Sequence, residues 1–308
     1  MTTNAIQSSH IYSTYFAPRG RSRIYTLGMQ IAQLYLSPFD QIIGFIGEAG
    51  SGKSVLIKGM FPGIELTNDD DGVNVRPLPL LEQEYETGFF TPHTYHLDIR
   101  FEMGFHQLSE LADAVRLAVR RGKRIIIEHF DLIYPLLGVN ANLLIGVGEQ
   151  IVITRPNLFG PLPQELCDIV YPSLAYRLMA HSAEDLCEYA MTQEQMLACS
   201  HGDIRHGFVL EFSEHQPDID IPTLEARVNE LIREDLPIDY YDESHILLGG
   251  MQHYCTGPRT HVRSTGRIIG FRLLDHFIYD HFHKTYMLVG CVGDDSEENI
   301  RKLEKIHG

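Results

Sequence analysis

The stretch GEAGSGKS, Gly47–Ser54, decides the reading of this 308-residue chain. Its spacing is G-x-x-x-x-G-K-[ST], and the apolar run QIIGFI, Gln41–Ile46, stands before it where a buried strand would. The following KSVLIKGMF has the apolar spacing of a helix. Strand, glycine loop and helix in that order build a cradle for nucleotide phosphates. Gly47, Gly50, Ser51 and Gly52 offer backbone N–H groups, the glycines because side chains there would obstruct the approach. Lys53 supplies a point charge to the β/γ-phosphates, Ser54 a hydroxyl to Mg²⁺, and the helix start the positive end of its dipole. The guanine-reading N-K-x-D motif is missing, so ATP is the expected nucleotide.

Working outward, GIELTN (Gly63–Asn68) reads as a second short strand that runs into Asp69, Asp70 and Asp71. HTYHLDIRF alternates like a strand, and FHQLSELADAVRLAVRRGK repeats Leu108, Leu111, Val115 and Ala118 at helical spacing. RIIIEHF and EQIVITR supply two more strands. Strands alternating with helices predict an α/β fold, a parallel sheet flanked by helices, over residues 41–160. Residues 1–40 hold a basic, turn-rich APRGRSR and one short helix at IYTLGMQIAQLYL. Beyond Pro161 the pattern changes to helix (LAYRLMAHSAEDLCEYAMTQEQM), strand (HGFVLEFSEH) and helix (IPTLEARVNELIRED), then strand-like GRIIGFRLL and TYMLVGCVG and a charged tail. Residues 161–308 are therefore expected to form a separate α+β domain.

A formal charge of −16 argues against a broad basic surface for nucleic acid and leaves room only for local recognition. The five cysteines are scattered with no C-x-x-C pair, which fits a reducing compartment. With no charged start leading into an apolar signal core and no 18-residue apolar segment, a soluble cytoplasmic protein without a membrane partner is expected. The sequence leaves the oligomeric state open.

Binding is not yet a reaction. A nucleotide hydrolase or kinase needs an acid at the end of a neighbouring strand for the Mg²⁺ shell, and RIIIEHFD offers Glu128 and Asp131. A kinase also needs a base for the accepting hydroxyl, and Asp69 or Asp70, just after the second strand, stands where such a base would face the phosphates. The plain alternatives are a solvated turn at NDDDG and a strand-end ion pair at Glu128. On GEAGSGKS, the acidic stretch and RIIIEHFDLIYPLL, residues 40–155 resemble the P-loop kinases that include uridine kinases and phosphoribulokinases. The resemblance implies a P-loop NTPase domain with Lys53, Asp69, Asp70 and Glu128 in catalytic roles. The aromatic residue that usually follows the kinase acids is absent from NDDDG, which weakens the expectation of a nucleoside substrate.

The second half carries its own resemblance. HYCTGPRTHVRSTGRIIGFRLL, with HGFVLEFSEHQPDIDIPTLEARVNELIREDLPI and MAHSAEDLCEYA before it, is similar in order to the second additional, editing domain of alanyl- and threonyl-tRNA synthetases over about residues 172–290. In that family two helical histidines, a cysteine and a last histidine hold a metal that serves removal of wrongly attached amino acids. Carried over, the set is His181, Asp185, Cys255 and His261, a candidate Zn²⁺ site. Asp185 replaces a histidine but keeps the four-residue helical spacing, and His261 stands six residues after Cys255 where the family has four. His253 and His245 are substitutes. Two functions follow as expectations: an ATP-dependent kinase or ATPase acting on a small-molecule acceptor, or a metal-dependent aminoacyl-tRNA deacylase with tRNA as partner and a regulatory nucleotide domain.

Overall fold

The computed structural model describes residues 12–66, 93–213 and 215–307. Asp69, Asp70 and Asp71 lie outside the described residues. The chain divides into two compact units: one runs to Tyr15 and resumes over Ser22–Tyr171, the other comprises Phe16–Arg21 and the chain from Pro172 onward.

The first unit contains β1 (Ser13–Phe16), α1 (Arg21–Tyr35), β2 (Ile42–Ile46), α2 (Lys53–Met60), β3 (Thr94–Asp98), α3 (Ile99–Glu102), α4 (Leu108–Arg120), β4 (Arg124–Glu128), α5 (Phe130–Leu137), β5 (Leu143–Val147) and β6 (Gln150–Thr154). The six strands form one sheet in the order β1-β6-β5-β2-β4-β3. β3, β4, β2 and β5 run parallel, as the alternation of strands and helices implies. β6 is antiparallel to β5. Only Gly148 and Glu149 connect these two strands, too few for a crossover, so the sheet is mixed rather than wholly parallel. All five residues of β2 and of β5 are buried, the continuous apolar pattern of strands covered on both faces.

α4 lays Leu111, Ala112, Val115 and Ala118 into the core of this unit. α1 meets α2 backbone to backbone: a Cβ on Gly28 would stand 2.5 Å from the Leu56 carbonyl oxygen, and one on Gly59 would stand 2.2 Å from that of Tyr25. The N-terminal helix thus buttresses the helix that follows the glycine loop. The described part of GIELTN, Gly63–Leu66, is turn and irregular chain rather than strand.

The second unit contains most of α6 (Pro163–Ala190), then α7 (Gln193–Ala198), β7 (Cys199–Ile204), β8 (Gly207–Phe212), α8 (Ile221–Arg233), β9 (Ile238–Asp242), β10 (His245–Leu248), β11 (Met251–Tyr254), β12 (Arg272–Leu273), β13 (Ile278–Asp280), β14 (Thr285–Cys291) and α9 (Ser296–His307). β12, β14, β8 and β7 form an antiparallel sheet with β13 paired to β14, and β9, β10 and β11 form a second. GRIIGFRLL keeps only the two-residue β12 as strand. It opens as a 3₁₀ turn at Thr265–Arg267, and Gly270, at φ 63°, breaks the extended run. The charged tail is the helix α9. No helix among the described residues is long and apolar enough to cross a membrane.

Candidate functional site

The loop between β2 and α2 has Gly47 at φ 155°, Gly50 at 79° and Gly52 at 93°. A Cβ on Gly47 would stand 2.4 Å from the Val147 carbonyl oxygen, so the loop passes too close to the end of β5 for any side chain. Gly52 caps α2 in the left-handed region and brings no side chain to the helix start. The first-turn N–H groups of α2 therefore point outward without a capping side chain, the usual site for a phosphate.

Lys53, 4% exposed, donates from Nζ to the carbonyl oxygens of Gly47 (3.0 Å) and Glu48 (2.9 Å). The same ammonium stands 3.7 Å from Glu128 Oε2. Burial lowers its pKa, opposed by Glu128 and Asp98. Glu128 ends β4, and parallel pairing sets it opposite Phe45 of β2, two residues before the loop begins. Register alone thus brings the acid to the loop. Ser54 Oγ donates to Glu128 Oε1 at 3.0 Å, and His96 Nε2 lies 3.1 Å from the same oxygen. Burial pushes the Glu128 carboxyl up, but the His96 hydrogen bond and charge, Lys53 and Ser54 together outweigh it and hold the group at about 2.

Two further groups stand here that the sequence reading passed over. Asp98 ends β3 opposite Glu128, as the register Asp98↔Glu128 requires. His129 follows Glu128 with φ 57° and is buried. One ligand atom each from Asp98, Glu128 and His129 lie within 4.8 Å of one another. Burial and the Lys53 charge push His129 down, so its imidazole is neutral near pH 7. The signal for Asp98 was present in the sequence: HTYHLD ends on an acid just as RIIIE does. Asp131 lies in the first turn of α5 and accepts from Tyr171 instead (3.3 Å).

An oxygen-only pair, the Ser54 hydroxyl and the Glu128 carboxylate, beside a lysine and an uncapped helix start, suits a hard cation with a phosphate chain. These residues fit Mg²⁺ and a nucleotide.

In the second unit Asp185, Cys255 and His261 gather one ligand atom each within 4.8 Å. His261 Nε2 lies 2.5 Å from Asp185 Oδ2 and 3.5 Å from Cys255 Sγ. His181 is not among them. Its Nε2 faces Asp203 of β7 at 3.6 Å, and burial pushes its pKa down to about 4. The fourth partner is Arg19, from the APRGRSR segment, only 1% exposed. Its guanidinium donates to Glu184, to Asp185 and, at 3.0 Å, to Cys255 Sγ. A fixed, always charged cation thus holds the position a metal would take. With Arg19 in place the set His181, Asp185, Cys255, His261 does not fit Zn²⁺, because the carboxylate and sulfur are already committed to the guanidinium. No local pattern points to this contact, since Arg19 lies 166 residues from Asp185. Of the two substitutes, His253 is 8% exposed and belongs to a group with Asp185 and Glu188. His245 instead pairs with Asp242 of the neighbouring strand at 2.9 Å.

His261 also lines a cleft of about 370 Å³ with Tyr240, Arg259 and Arg263. The Arg259 guanidinium lies 4.7 Å over the Tyr240 ring. No protein-family model matches this chain, and no curated protein matches it in sequence.

Proposed function

We propose that the protein is an ATP- and Mg²⁺-dependent enzyme, a small-molecule kinase or an ATPase, whose reaction takes place at the loop of the first unit. One observation carries this reading: Ser54 Oγ stands 3.0 Å from Glu128 Oε1 while the Lys53 ammonium lies 3.7 Å from the same carboxylate. A structural strand-end ion pair needs no hydroxyl from a glycine loop. Loop amides and Lys53 would hold the phosphates, and Ser54 and Glu128 the cation. Mg²⁺, when bound, would neutralise charge on the phosphate oxygens. Asp98 and His129 are the groups beside Glu128 that can accept a proton from an acceptor hydroxyl or a water, His129 in its neutral form. Asp69 and Asp70 remain proposed contributors from outside the described residues.

The second reading, deacylation of an aminoacyl ester in the second unit, draws on the cleft at His261, whose Arg259 and Arg263 suit a phosphodiester. It involves no metal at Asp185 and Cys255 while Arg19 holds them. The test is calorimetric ATP binding by the wild type and by Lys53→Ala, with phosphate release measured against nucleosides, amino acids and aminoacyl-tRNAs. Losing a charge-assisted contact worth about 1.5–3 kcal/mol weakens binding by about 10- to 150-fold. Unchanged affinity sinks the proposal, and deacylation of tRNA without nucleotide favours the second reading.

A further inference from the structure

The helix face that carries Asp185 continues to Glu188, three residues on and hence on the same side of α6. Glu188 is 6% exposed and meets groups that no reading so far has used. His201 of β7 contacts Glu188 Oε1 through Nε2, and Cys199, at the start of the same strand, has its Sγ 3.9 Å from that oxygen. One ligand atom each from Glu188, Cys199 and His201 fall within 4.8 Å of one another. Residues 199 and 201 alternate along a strand and so face the helix together.

From the other side His253 of β11 turns its Nε2 toward Glu188 Oε2 at 3.9 Å. That nitrogen is buried and makes no hydrogen bond, although the side chain is only 8% exposed. A buried ring nitrogen aimed at a carboxylate oxygen without bonding it offers an N–H to an acceptor in one tautomer and a lone pair to a cation in the other. The hydrogen bonds of the two Arg19 Nη groups go to Glu184, Asp185 and Cys255 instead.

We propose that Glu188, Cys199 and His201 form a binding site for a zinc-class divalent metal ion, with His253, whose Nε2 lies 3.9 Å from Glu188 Oε2, as a fourth donor. The donor set is one thiolate, one carboxylate and imidazole, the mixture that selects zinc over magnesium or calcium. Ligands 2.0–2.3 Å from a tetrahedral zinc stand about 3.3–3.8 Å apart, so the sulfur–oxygen separation closes with a small shift while the direct Glu188–His201 contact opens to admit the ion. Zn²⁺ forms a bond to the Cys199 sulfur as the thiol releases its proton to solvent, and no oxidant or reductant is required. Cys199 and His201 are half-buried, which leaves an entry path from solvent. The metal would thus sit one helical turn beyond the set that the synthetase resemblance points to.

The experiment is metal analysis of the full chain purified from metal-replete medium, followed by Co²⁺ substitution. About one equivalent of zinc is expected, together with a thiolate-to-cobalt charge-transfer band. Cys199→Ser and His201→Ala each weaken zinc binding by about 10- to 100-fold or more and remove or alter that band, whereas Cys255→Ser keeps both. Should a variant fail to fold by circular dichroism, alkylation of the wild type mapped by mass spectrometry decides, with zinc slowing modification of Cys199 at least tenfold. Less than about a tenth of an equivalent of metal in the wild type overturns the site. So does retention of the metal in Cys199→Ser with loss in Cys255→Ser, or alkylation of Cys199 at a rate indifferent to zinc.

Discussion

Replacing Glu128 by Gln keeps the shape of the side chain and an acceptor for Ser54 while removing the charge that meets Lys53 and His96. In the folded protein the carboxyl sits at about 2, against an ordinary 4.5. The difference, 4.5 − 2, is about 2.5 units, and at about 1.4 kcal/mol per unit the ionised group contributes about 3–4 kcal/mol at pH 7. Because the folded value is the depressed one, that contribution is complete well above pH 4.5 and is lost as pH falls through 4.5 toward 2. At pH 3.5 it is about 2 kcal/mol. Glu128→Gln is therefore expected to be about 3–4 kcal/mol less stable than wild type at pH 7, the gap narrowing by about two fifths at pH 3.5. The gap should be read by guanidinium unfolding in EDTA, followed by hydrogen–deuterium exchange of peptides from β2 and β4, which isolates the first unit in a chain of two units. Equal stability at pH 7, or a gap that does not shrink on acidification, would refute the picture of Glu128 as an ionised, multiply donated carboxylate.

Three further outcomes follow from the same geometry. Ser54→Ala removes the hydroxyl 3.0 Å from Glu128, and calorimetry should find that Mg²⁺ no longer tightens ATP binding over the level in EDTA. Arg19→Met strips the buried cation from Glu184, Asp185 and Cys255 at a cost of about 3–5 kcal/mol, a fall in melting temperature on the order of 10 °C. Arg19→Lys should recover only part of this, because one ammonium cannot reproduce the planar fork. Gly28→Ala drives a Cβ to 2.5 Å from the Leu56 carbonyl, forcing α1 off α2 at a cost of about 1–3 kcal/mol, visible as a lower melting temperature and, through the displaced loop, weaker ATP binding.

Much of the first unit was legible because its signals are local. Chain neighbours alone specify the QIIGFI strand, the glycine loop, the helix from Lys53 and the stripe Leu111, Val115 and Ala118, since period and glycine placement are properties of consecutive residues. Glu128 could be named for the same reason, standing at the end of an apolar strand. Asp98 carries the same local signal, as the acid that ends HTYHLD, but its placement beside Glu128, like that of His96, depends on β3 pairing with β4 across a register no local pattern encodes. GRIIGFRLL shows the reverse error: its apolar content reads as strand, yet Thr265 and the left-handed Gly270 turn it into irregular chain with two strand residues.

The glycine loop followed by a helix, the α/β unit around it and the α+β unit rich in His, Cys and acids after it are all written in consecutive residues. The tertiary structure alone decided which of those polar residues face one another. It set Glu128 against Ser54 and Lys53, turned His181 away to Asp203, and brought Arg19 from far upstream into the cation position between Asp185 and Cys255. The physical reason is that hydrophobic periodicity is written along the chain, whereas the partner of a buried charge is chosen by whichever opposite charge the fold delivers to it, however many residues lie between.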